Sequence, residues 1–226
     1  MGQKGELAVS ERKLDKREAR YRKEAEAGSP RMMGALAVLL ATRKKMPEAE
    51  EWARRGAEAG DGDAMGVLGA ILSERGELDW AEHWYRKAAE AGTALVSLHL
   101  ARLLRKRGDL AEAGSWYQRA AQAGDREAFR EYANLLRQQG ELAEATRWYR
   151  LGAQAGDPVA MAILSLMLLD QEDGKEESRL WLDRAIRSRD PNADKVRAEL
   201  RRMVAEGADS GVYDGFDTGG GFATGG

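Results

Sequence analysis

WARRGAEAGD (52–61), WYRKAAEAGT (84–93), WYQRAAQAGD (116–125) and WYRLGAQAGD (148–157) are four near-copies of one phrase, each 32 residues after the last. Gly28, Gly60, Gly92, Gly124 and Gly156 keep the same step. Self-similarity at a period of roughly 20–50 residues marks stacked supersecondary units rather than one folded globule. The repeat therefore decides the fold class before any other feature is read.

The unit from Asp61 to Gly92 shows what is being stacked. Ala64, Val67, Leu68, Ile71 and Leu72 stand at the spacing of one buried helix face. Gly76 interrupts the pattern, and Gly108 and Gly140 do so in the next two units. Glycine tolerates the left-handed backbone that ends a helix. Leu78, Ala81, Trp84, Tyr85, Ala88 and Ala89 then form a second helical face, closed by Gly92. Asp61, Asp125 and Asp157 follow the closing glycines and suit the N-cap of the next helix, and Pro158 suits the first helical position. Each unit reads as helix, turn, helix, turn, and neither apolar face is buried until units stack. The small residues Gly69, Ala101, Ala133 and Ser165 let paired helices approach, while the Trp–Tyr pairs are expected in the core.

The expected architecture is an all-α solenoid of antiparallel helix pairs. It has an N-terminal capping helix within 1–28, five repeats over 29–189, a capping helix within 190–206 and a tail over 207–226. The cap is visible in RYRKEAEAG (20–28), which matches WYRKAAEAG (84–92). The fifth unit carries one extra residue near Gly174, because Trp181 lies 33 after Trp148.

These residues resemble a known superfamily. Leu68-Gly69, Leu72, Ala81, Tyr85, Ala88 and the matching Tyr132-Ala133, Leu136, Ala145, Tyr149, Gly152 have tetratricopeptide spacing. The endings WYRKAAEAG and WYRLGAQAGD are similar to the Sel1-like branch. The period is shorter than the usual tetratricopeptide length, Gly-Asp replaces the closing proline, and the usual Sel1-like turn insertion is missing. The resemblance covers about residues 20–189. It implies a right-handed superhelix acting as a non-enzymatic adaptor or scaffold that binds a peptide or protein.

In such repeats the first helix of each pair lines the concave face, which points to Arg102, Arg105, Arg130, Asn134, Arg137, Leu166 and Leu169. Arginine presents a planar fork to carboxylates, and asparagine both donates to and accepts from an extended backbone. Arg130 and Asn134 resemble half of the carboxylate clamp of chaperone-binding tetratricopeptide domains. The other half is missing, since the matching position is Val159. Leu166 and Leu169 read either as apolar lining or, with the phase one residue out, as core. The partner expected here is a protein or peptide with acidic and hydrophobic parts.

The tail, GADSGVYDGFDTGGGFATGG, has eight glycines in its twenty residues and three aspartates without a lysine or arginine. Its composition predicts disorder, yet Tyr213, Asp214, Phe216 and Asp217 form an acidic-aromatic motif. The alternative function is accordingly a self-associating regulatory or assembly subunit whose tail serves as its own groove ligand.

Other classes fit poorly. The net charge of −2 gives no bulk drive toward nucleic acid or anionic lipid. The lining positions change from unit to unit, unlike a code that reads one base per repeat. The two histidines, His83 and His99, lack a carboxylate at a repeated phase, and no HExxH, GxSxG or phosphate-binding glycine loop occurs. No catalysis, metal or cofactor is expected. The cysteine-free sequence, without a signal-peptide pattern or a stretch long enough to span a bilayer, suits the cytoplasm.

Overall fold

In the computed structural model of the chain, residues 2–93, 96–169, 171 and 173–206 are described. Twelve helices and no strand are found among them. They fall into two compact units, Met1–Asp109 and Leu110–Gly226. The division lies inside the third expected repeat.

The first unit contains α1 (Gly2–Glu26), α2 (Pro30–Thr42), α3 (Met46–Glu58), α4 (Gly62–Arg75), α5 (Leu78–Glu90) and α6 (Val96–Arg107). Helices α2/α3 and α4/α5 are the expected pairs, and α2 also packs on α4. Helix α1 lies against α2. It is tied there by Glu18, a nearly buried carboxylate that receives Arg22, Arg43 and Lys45. Burial works against this charge, but the three cations outweigh it and hold the Glu18 carboxyl below its ordinary value.

The second unit contains α7 (Leu110–Gln122), α8 (Arg126–Gln138), α9 (Leu142–Gln154), α10 (Pro158–Leu169), α11 (Lys175–Arg187) and α12 (Ala193–Glu206). Neighbouring helices pack in sequence order, and α12 covers both α10 and α11. Its core runs through Ala133, Leu136, Tyr149, Ile163, Leu164, Leu168, Trp181 and Val196.

The repeated Gly-Asp junction works twice. At the end of α3, Gly60 takes a φ of 90° and donates to the Ala57 carbonyl at 3.1 Å, while Asp61 donates to Gly56 at 2.9 Å. These two bonds close a Schellman turn. The Asp61 side chain then accepts from the Ala64 amide at 2.8 Å and caps α4. Asp125 and Asp157 cap α8 and α10 in the same way. One residue type therefore ends one helix and starts the next, which keeps the connections short.

The small-residue phase is also accounted for. A Cβ on Gly69 would stand 2.7 Å from the Tyr85 ring, so the pair α4/α5 closes only over glycine. Ala101 and Ala133 are fully buried and Ser165 nearly so.

The Trp–Tyr pairs divide differently from expectation. Tyr85, Tyr117 and Tyr149 are buried, as are Trp52 and Trp181, but Trp84, Trp116 and Trp148 are only half-buried. The indole sits at the rim, where its N–H can reach a partly exposed carboxylate. Trp116, Trp148 and Trp181 donate to Glu112, Glu144 and Glu177, each four residues earlier. Tyr85, Tyr117 and Tyr149 are the buried partners of these pairs, and truncating one to alanine removes the kind of ring whose loss costs about 3–5 kcal/mol.

Candidate partner-binding surface

Apart from Arg130, which stands at the phase of Gly34 and Gly66, the expected lining positions occupy two phases of the first helices. In the first unit, one phase holds Val38, Ala70 and Arg102 on α2, α4 and α6, and the other holds Ala41, Ser73 and Arg105. Val38 is 44% exposed, and the remaining five are half-buried. Helices α2 and α4 bury their other faces against their pairs, so this stripe is what they leave at the surface. It runs from apolar at Val38 and Ala70 to cationic at Arg102 and Arg105. Lys106 and Arg107 are exposed beside it, and Arg107 is held by Asp79 and Glu82.

The second unit treats the same phases differently. Arg130 is only 6% exposed. Its Nε donates to Asp157 at 2.9 Å and its Nη2 to Glu127 at 2.9 Å, with Glu131 at 3.8 Å from Nη1. Burial opposes the guanidinium charge, but the carboxylates of Asp157, Glu131 and Glu127 outweigh it and raise its already high pKa. Asn134 is fully buried, and the Tyr149 hydroxyl donates to its Oδ1. Arg130 thus locks α8 to the cap of α10, and Asn134 locks α8 to α9. Neither presents a clamp to a ligand. Leu166 is core, which settles its double reading, whereas Leu169 is 49% exposed at the end of α10. Arg137 is half-buried.

The surface therefore keeps Arg102 and Arg105 on one unit and Arg137 and Leu169 on the other. Tyr213, Asp214, Phe216 and Asp217 lie outside the described residues, as does the whole of 207–226.

Sequence reasoning missed the internal role of Arg130, although a signal was present. The equivalent residues in the other units are Gly34, Gly66, Leu98 and Ala162, and the next N-cap aspartate falls 27 residues on. A large cation among small and apolar residues, opposite a cap carboxylate, marks an ion pair. Among the described residues, no group of three or more His, Asp or Glu could hold a metal ion. No described helix is long and apolar enough to cross a membrane.

Solved structures share this arrangement. A Sel1 repeat protein from Oxalobacter formigenes superposes with a TM-score of 0.63 at 27% identity, over 80% of each chain. The fold is that of a Sel1-like repeat protein. The c5321 protective antigen of uropathogenic Escherichia coli, which displays an SLR fold, matches at a TM-score of 0.68 and 25% identity. That match covers 86% of this chain, which spans 45% of the E. coli protein. YrrB, described as a TPR protein with an unusual peptide-binding site, matches at a TM-score of 0.55 and 20% identity, over 79% of this chain and 97% of its own. No family model matches the sequence, and no curated protein is similar to it in sequence. The Sel1-like repeat fold places the chain among helical-repeat proteins, whose members generally mediate protein–protein interaction.

Proposed function

We propose that the chain is a non-enzymatic adaptor that holds a segment of a partner protein on the exposed stripe of its first helices. In the first unit, Val38 and Ala70 meet apolar residues of the segment, and Arg102 and Arg105 pair its carboxylates. In the second unit, Arg137 and Leu169 offer a smaller version of the same chemistry. Arg130 and Asn134 serve the scaffold. The observation that carries this reading is the contrast between framework and stripe. Caps, turn glycines and tyrosines repeat, while the exposed phase changes from Val38 to Ala70 to Arg102. Variation along an exposed stripe of an otherwise repeating framework is what binding of a particular partner leaves on a repeat scaffold.

The alternative use of the tail as a groove ligand is less favoured, because Arg130 is already held by Asp157 and Glu127. A random-peptide display on the full chain tests the proposal. It should enrich peptides with acidic residues next to apolar ones. Arg102→Glu with Arg105→Glu should weaken the enriched peptides about tenfold or more, as expected for a lost charge-assisted pair. No enrichment, or enrichment indifferent to the charge reversal, would sink it.

A further inference from the structure

The second repeat departs from the others on its outer helix. At the phase where Glu112, Glu144 and Glu177 accept the indole N–H of Trp116, Trp148 and Trp181, it carries Trp80. Trp80 is 61% exposed, more than any other large hydrophobic residue described. No described residue accepts a hydrogen bond from its indole or from that of Trp84, four residues on. His83 stands edge-on to both rings, at 5.9 Å from Trp80 and 5.4 Å from Trp84. Lys87 lies over the Trp84 ring at 5.1 Å. Two carboxylates of the same helix are engaged elsewhere, because Arg107 holds Asp79 and Glu82, and Arg86 also holds Glu82. The patch thus offers two indole donors, two aromatic faces, a histidine and a lysine, and lacks the carboxylate that completes the same site in three other repeats.

We infer that this patch is a docking site for the acidic-aromatic segment Tyr213–Asp217 of a second copy of the chain. The missing group is a carboxylate, and Asp214 and Asp217 supply two. Tyr213 and Phe216 alternate with them and match the exposed indole faces by edge-to-face packing. The segment carries no cation, which suits Lys87 and His83. Six residues lie between Glu206, the end of α12, and Tyr213, and the seven steps reach at most about 25 Å. Trp80 belongs to the other compact unit. Docking in a second copy makes no demand on how the two units are arranged. Tail-to-patch contacts of this kind close as a dimer where two copies exchange tails and propagate where they do not. This site is separate from the first-helix stripe and stands whether or not that stripe binds a partner.

The test uses the full chain. Sedimentation velocity follows its association with concentration, and the indole N–H resonances of Trp80 and Trp84 are followed in the same series. Both signals should move as association grows. Asp214→Asn with Asp217→Asn should weaken association about tenfold or more, matching the loss of charge-assisted bonds. Trp80→Glu restores the glutamate of the other repeats and should abolish association while keeping the helical circular dichroism of the parent. Three outcomes would overturn the inference. The indole shifts are independent of concentration, which removes the contact between copies. Association survives Trp80→Glu, which moves it to another surface. Association is lost in Trp80→Glu but untouched by the aspartate changes, which gives the patch a different occupant.

Discussion

Two junctions at one phase of the repeat differ in what they place against the next N-cap. In the first unit Gly34 faces Asp61, and in the second Arg130 faces Asp157, each pair 27 residues apart. At Gly34 the approach is so close that a Cβ would stand 1.8 Å from Asp61 Oδ1. The carboxylate there is half-buried with backbone amides as its near partners, and burial raises its pKa. At Arg130 a guanidinium fills the junction and donates to Asp157 at 2.9 Å. The framework fixes where the cap sits, and a single outward residue decides whether it is sealed by contact or by charge.

Breaking the charged junction has the largest expected effect. Arg130→Ala leaves the nearly buried Asp157 without its guanidinium and should destabilise the second unit by about 3–5 kcal/mol. Urea unfolding measures this, and a loss of under about 1 kcal/mol would mean that the ion pair is incidental. Filling the close junction comes next. Gly34→Ala gains helix propensity but pushes the Asp61 cap off the Ala64 amide, for a net loss of about 1–2 kcal/mol. A variant as stable as the parent would show that the cap can move without consequence.

The contrast also marks what the sequence made legible. Caps and turn glycines could be read because each follows from a local backbone need: Asp61 bonds an amide three residues on, and Gly60 supplies a left-handed φ within its own turn. The solenoid could be read because those local signals recur with one step. Depth within the stack could not. Arg130 looks like a surface residue until Asp157 is brought to it, and Asn134 until Tyr149 arrives from the next helix. Periodicity gives the direction in which a side chain leaves its helix but not the height of the wall on either side. The same limit placed Trp116 in the core, although a glutamate four residues before it and Arg119 three after it mark a rim position. The mixed fate of the lining residues has this origin too, with Leu166 buried and Leu169 exposed on one helix.

The turns of the two units allow a finer comparison. Lys44 occupies the phase of Gly76, Gly108 and Gly140 and shares their left-handed backbone, with a φ of 58°. A side chain with a Cβ is disfavoured there, and glycine's greater freedom in the unfolded chain offsets part of the gain from removing it. Lys44→Gly should therefore stabilise the first unit by about 0.5–1 kcal/mol, seen as a higher urea midpoint at unchanged slope. A lower midpoint would show that contacts of the lysine outweigh its backbone conformation.

The smallest effect is a pH dependence that separates Asp61 from its counterpart. Burial is the main cause of its raised pKa, with bonds from the backbone amides of Ala64 and Asp63 acting against it. A folded-state pKa above the unfolded one means that the unfolded chain gives up this proton first. The contribution to stability is complete below the unfolded pKa and is lost as pH rises through the folded one. Asp61→Asn keeps a good cap that does not ionise. The variant should therefore gain on the parent as pH climbs through the ordinary aspartate range and hold that lead at neutral pH. Asp157 sits against a guanidinium that stays charged throughout, so Asp157→Asn should be the weaker protein at neutral pH. Should Asp61→Asn instead lose ground with rising pH, the carboxylate is stabilised by a cation, and the two junctions are sealed alike.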